Sequence, residues 1–167
     1  RSPNPSGSPN DFIALHQFNV SGGQDIIGAV EIAWGSPASP DLTLNGLTYT
    51  AAIWSDPNND GNPSDAVLLA QASGVITNAS TDTFDVTLFN CVQVTQSFFV
   101  GFLITVNAAQ NPAGFDVNGG FPPSGFLAAS QGGTGDITNL LNKNNLQMTS
   151  TGAVLPHSGH VPLRPSP

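Results

Sequence analysis

The sequence predicts an all-β fold, a single β-sandwich of about eight strands in a jelly-roll or Ig-like Greek-key arrangement. Three observations predict it. Residues 91–106, CVQVTQSFFVGFLITV, form the most apolar run of the chain and alternate with period two. The other apolar runs are short and are separated by turn-forming residues, with 18 Gly and 14 Pro in 167 residues. No segment carries the extended 3.6-residue apolar period of an amphipathic helix.

Residues 1–10, RSPNPSGSPN, hold only turn-forming and polar types apart from Arg1, and read as a flexible leader. Residues 12–20 are the first strand. In 25–34, DIIGAVEIAW, strict alternation puts Ile26, Val30, Ile32 and Trp34 on one face. In 47–54, Leu47, Tyr49, Ala51 and Ile53 oppose Thr48, Thr50, Ala52 and Trp54. A polar loop covers 55–65. Residues 66–72 are rich in Ala and Leu, but the flanking turns favour a strand. In 83–89, Phe84, Val86 and Leu88 oppose Thr83, Asp85 and Thr87.

In the 91–106 run, Phe98, Val100, Phe102, Ile104 and Val106 share one face. Phe99, Gly101, Leu103 and Thr105 share the other. Apolar residues on both faces predict a central strand covered on both sides. Residues 107–125 read as a long loop and 125–130 as a short strand. Residues 136–143 read as a helical turn or two starting near Asp136. Residues 146–148 and 153–155 are weaker strand signals. The sandwich is expected to span 11–159, followed by a Pro-rich tail at 160–167.

Charge is scarce. Charged residues make up 8% of the chain, against about 25% in an ordinary soluble domain. The cations are Lys143, Arg1 and Arg164; ten of the 11 acids are aspartate and the other is Glu31. The surface is therefore expected to be mostly Ser, Thr, Asn, Gln and Gly, with few tryptic sites, as suits life outside a cell. A net charge of −8 with no basic stripe argues against nucleic acid and anionic membrane surfaces. No apolar run reaches the ~18 residues of a membrane span. The lone Cys91 cannot form a disulfide within the chain and reads as a buried thiol. No signal peptide is apparent, and Arg1 is not an initiator, so the chain is expected to be processed or cut from something longer.

The segments YTAAIWSDPNNDGNPSDAVLLAQASGVI and FDVTLFNCVQVTQSFFVGFLI, within 49–106, resemble β-sandwich, jelly-roll-like modules of large secreted bacterial surface proteins. The resemblance rests on a strand ending in Trp, a D-x-N-x-D-G-x-P-S loop and an FFVGF strand. It implies a secreted domain with a structural or binding role and specifies no ligand.

Several stretches can carry chemistry. Asp56, Asn58, Asp60 and Gly61 fit the first half of a calcium loop, which needs oxygen ligands at alternating positions and a glycine to turn the backbone. Val67 stands where the closing Glu belongs, and Asp65 is the candidate substitute. The same residues also suit an ordinary turn. His157 and His160, with His16, lack the scaffold of a metal site and read as a solvated tail. Glu31 and Asp85 are the acids nearest to a glycosidase pair, with Glu31 expected on an outer face. Lys143 invites an isopeptide bond to an Asn, against a plain solvated lysine. Asn19 and Asn78 head glycosylation sequons, Asn78 being the better placed in a turn. Trp54 and Tyr49 are candidates for a sugar-stacking platform.

No G-x-S-x-G or Ser/His/Asp arrangement appears, so a non-enzyme is expected. The leading expectation is a secreted structural module that assembles with copies of itself into an extracellular filament or surface layer. Weak charge lets copies pack, and strand edges accept a neighbour's segment by β-augmentation. The 12–20 strand on its flexible leader is the candidate exchanged segment, removable without unfolding the core. The alternative is a carbohydrate-binding or adhesive module of a larger cell-surface protein, with polysaccharide as partner.

Overall fold

The computed structural model describes residues 10–20, 25–35, 37, 40–81, 83–107, 110, 112, 125–131 and 147–149. Residues 1–9 of the expected leader, the 136–143 helical turn, the 153–155 strand, the 160–167 tail, Lys143, His157 and His160 lie outside them; Asn10, the leader's last residue, opens the first strand.

The described chain is all-β. In order, the strands are β1 (Asn10–Asn19), β2 (Ile26–Ile32), β3 (Thr48–Ser55), β4 (Val67–Val75), β5 (Asp85–Gln93), β6 (Ser97–Val106), β7 (Gly125–Gln131) and β8 (Gln147–Thr149). They form an unequal sandwich: a six-stranded antiparallel sheet in the order β4-β3-β6-β1-β7-β8, and a two-stranded β2-β5 sheet. Short 3₁₀ turns at Leu42–Leu44 and Pro63–Asp65 interrupt the connections.

β6 is the central strand that its two apolar faces predict. It pairs with β3 on one side and β1 on the other. Its first face, with Phe98, Val100, Phe102, Ile104 and Val106, joins the core between the sheets. Phe12 and Ala14 of β1, Ile27, Val30 and Ile32 of β2, and Tyr49, Ala51 and Ile53 of β3 complete that core. The Trp34 ring lies inside it, 4.8 Å from Tyr49 and 4.5 Å edge-on to Phe102. The opposite face of the large sheet carries a second core of Ile13, Leu15, Ala52, Trp54, Ala66 and Phe99.

Gly101 explains how β1 lies so close to β6. A Cβ at Gly101 would stand 2.2 Å from the Ala14 carbonyl oxygen and 2.7 Å from the Leu15 Cβ. Those atoms belong to the backbone and stem of a paired strand and have nowhere to move.

Four expectations are corrected. The 91–106 run is not one strand: Cys91 to Gln93 close β5, and β6 begins at Ser97. The chain turns between them at residues 94–96, where Gln96 takes a φ of 47°, and a bulge lies just before the turn. Ile27 pairs with Val92 and Ala29 with Leu88, so Phe89, Asn90 and Cys91 lie opposite Gly28 alone. Cys91 takes a φ of 48° there and its side chain is exposed, not buried. The same bulge changes the phase of β2. Ile27 enters the core beside Val30 and Ile32, whereas Ile26 is only partly buried. Finally, β1 is no detachable leader strand. It sits between β6 and β7 and buries side chains in both cores, so its removal opens the sheet.

β5 turns its polar face inward. Asp85 and Thr87 are buried, while Val86 and Leu88 are 54% and 77% exposed. Polar anchors hold this orientation. Asp85 accepts hydrogen bonds from the Thr77 and Asn78 backbone N–H groups, the Thr77 hydroxyl and the Asn78 amide. The Thr87 hydroxyl pairs with the Tyr49 hydroxyl at 2.7 Å, tying the small sheet to β3. Gly74, opposite Tyr49, leaves room for that ring: a Cβ there would lie 2.4 Å from it.

Two substitutions test this account by chemical denaturation. Gly101→Ala is expected to cost about 1–3 kcal/mol, the range for forced overpacking. Tyr49→Phe is expected to cost about 1–3 kcal/mol, because it strands the buried Thr87 hydroxyl.

Candidate functional site

The loop from β3 to β4 brings three acids together. One carboxylate oxygen from each of Asp56, Asp60 and Asp65 lies within 4.8 Å of the others. Local structure explains the convergence. Gly61 takes a φ of 74° and donates its N–H to Asp56 Oδ2 at 2.9 Å, curling the chain around that carboxylate. The 3₁₀ turn at Pro63–Asp65, capped by Asn62 through the Ser64 N–H, carries Asp65 back toward Asp56. Asp65 thus reaches the other two carboxylates from two positions before the place of the expected Glu.

Asn58 takes a different place. Its side-chain oxygen accepts from the Asp60 N–H and its amide donates to Asp60 Oδ2, both at 3.1 Å. It orients Asp60. The loop is also anchored on β6. Ser97 N–H donates to Asn59 Oδ1 at 2.9 Å, Asp56 N–H donates to the Ser97 carbonyl at 3.3 Å, and Gln17 of β1 donates to the Ser97 hydroxyl at 2.8 Å.

Among the described residues, three buried polar side-chain atoms have no hydrogen-bond partner: Trp34 Nε1, Asp56 Oδ1 and Asp65 Oδ1. Two of the three belong to this loop. Asp56 as a whole is 5% exposed. None of the described residues is Lys or Arg, so no such side chain among them balances these acids.

No family model, curated protein or solved structure matches the chain.

The other candidates separate clearly. Trp54 is 0% and Tyr49 2% exposed. Neither ring offers a face to solvent, which corrects the stacking platform: both rings are core, drawn in by the area they bury. Glu31 pairs with Val86, and Asp85 with Ile32, so the two acids point to opposite faces of the small sheet and form no carboxylate pair. Asn19 is exposed at the end of β1. Asn78 is half-buried, and its amide donates to the Phe84 carbonyl and Asp85 Oδ1. A glycan on that nitrogen would remove one of those donors, so exposure favours Asn19, the reverse of the turn argument.

A second feature was missed in the sequence. Between β4 and β5 runs a groove of about 530 Å³, lined by Leu69 to Ala72 and Leu88 to Gln93. β4 pairs with β3 alone among the described strands, so it ends the large sheet. Val67, Leu69 and Val75 of β4 and Val86 and Leu88 of β5 are exposed. The apolar/polar alternation of 83–89 was the available signal, but alternation does not say which face is buried.

His16, on β1, is half-buried with its ring 4.7 Å from that of Phe18. Burial holds its pKa below 6.5. The unfolded chain therefore takes up the proton at a higher pH than the fold, and acidification through that window removes stability. Between about pH 7.5 and about pH 5.5, the wild type is expected to lose more stability than His16→Gln, as read by urea midpoints; parallel losses would contradict this.

Proposed function

We propose that this chain is a non-enzymatic structural module, secreted to the cell exterior, that assembles with copies of itself into a filament or surface layer. The observation that carries this reading is the β4 edge. A terminal strand presents unpaired N–H and C=O groups along its outer side, a template for another strand. Here that edge borders the groove, and Leu69 and Leu88 stand at it as apolar contacts for an incoming chain. Main-chain pairing supplies affinity in such an arrangement, and the apolar contacts supply selectivity.

Other features agree with it. With 8% of its residues charged, the chain makes contacts between copies that need few ion pairs. The resemblance of residues 49–106 to modules of secreted bacterial surface proteins points to the same setting. No helix among the described residues is long and apolar enough to cross a membrane. The contact assigned here is the β4–β5 groove; exchange of β1 would have to replace a central strand in both copies. With Trp54 and Tyr49 buried, the carbohydrate-binding alternative lacks its aromatic platform.

Electron microscopy and light scattering of the native protein test the reading. Regular fibres or sheets are expected from the wild type. Leu69→Asp combined with Leu88→Asp is expected to leave discrete folded particles, since exposed positions contribute little to folding. Wild-type particles that stay monomeric, or a double variant that assembles normally, would refute it.

A further inference from the structure

We infer that the β3–β4 loop is a calcium site, with Asp56, Asp60 and Asp65 as its carboxylate ligands. The inference is independent of how copies of the chain associate. Three acids converging in one loop would not carry it alone, since exposed acidic clusters are common. The deciding observation is Asp56. Its carboxylate is almost wholly buried, one oxygen accepts the Gly61 N–H, and the other has no partner. Asp65, half-buried as a residue, adds a second buried oxygen without a partner. A buried carboxylate oxygen without a donor is costly. Here two such oxygens belong to the three carboxylates that come within 4.8 Å, where repulsion adds to the cost. A cation between them removes both penalties.

The donor set selects the ion. All three side chains are hard oxygen ligands, with no His or Cys in the group, which disfavours zinc and copper. Magnesium demands a tight octahedron and keeps most of its water, whereas calcium accepts several carboxylates in a flexible loop. The ligands also come from a loop held elsewhere. Asn58 orients Asp60, and Ser97 fixes Asn59 and the Asp56 backbone. Binding would therefore fasten the β3–β4 connection to the first residue of β6, the central strand.

Terbium is the probe, because it takes calcium sites and emits when a nearby indole is excited. Trp54 lies two residues before Asp56, about 7 Å along an extended chain. Metal-stripped full-length protein is expected to sensitise terbium emission, to lose it on adding calcium well before magnesium, and to melt at a higher temperature in calcium than in chelator. Asp56→Asn and Asp65→Asn are each expected to weaken binding about tenfold or more, whereas Asp25→Asn, away from the loop, binds as the wild type. Should Asp56→Asn fail to fold, Asp65→Asn carries the same reading. Absence of both sensitised emission and a calcium-dependent melting shift in the wild type would overturn the site. So would equal binding by the wild type and Asp65→Asn.

Discussion

The contact of β1 with β6 at Gly101 is the constraint on which the molecule depends. Gly101 faces the second core, and the space a side chain would fill holds the Ala14 carbonyl and the Leu15 stem instead. Opposite it, β3 also presents a small residue, Ala52. Small residues at this level let three strands lie together while Phe99, Trp54 and Leu15 pack around them. On the reverse face the same strands present Phe102, Ala14 and Ala51 to the small sheet. One strand thereby serves two cores, and every other strand is placed by its relation to it.

The small sheet is held by β2's Ile27, Val30 and Ile32 in the core and by polar anchors on β5. β5 spends its inward positions on Asp85 and Thr87, each satisfied by specific donors or acceptors, and leaves Val86 and Leu88 in water. A buried carboxylate with several donors fixes orientation strictly, because any other arrangement strands it. The apolar residues displaced by this choice then face outward, beside the free edge of β4. Anchoring and exposure are two sides of one arrangement. The exposed apolar face of β5 results from the way the small sheet is held.

The acidic loop shows a related economy. Gly61, Asn62 and the 3₁₀ turn at Pro63–Asp65 curl the chain so that three carboxylates converge, and Ser97 keeps the loop on the sheet. The loop satisfies its backbone groups well and leaves side-chain oxygens unsatisfied. Four of its Asp and Asn oxygens close the turn, and one buried oxygen each of Asp56 and Asp65 is left over.

By itself the sequence determined the all-β class, the positions of most strands and which residues of β3 and β6 share a face. Period-two alternation of Phe, Val and Ile against small or polar residues is a local signal, and a strand's two faces follow from it directly. The spacing of Asp56, Asn58, Asp60 and Asp65 likewise marked the acidic loop, because the turn that gathers these acids is built from neighbours in the chain. Only the tertiary structure decided the rest. The bulge opposite Gly28 depends on the pairing of two strands about sixty residues apart, so the phase of β2 was not legible. Which face of β5 is buried depended on Tyr49 and on the turn holding Asn78. The burial of Trp54 and Tyr49, and the central place of β1, required knowing what lies across the sheet. Alternation tells a strand that it has two sides; only its partners determine which one meets water.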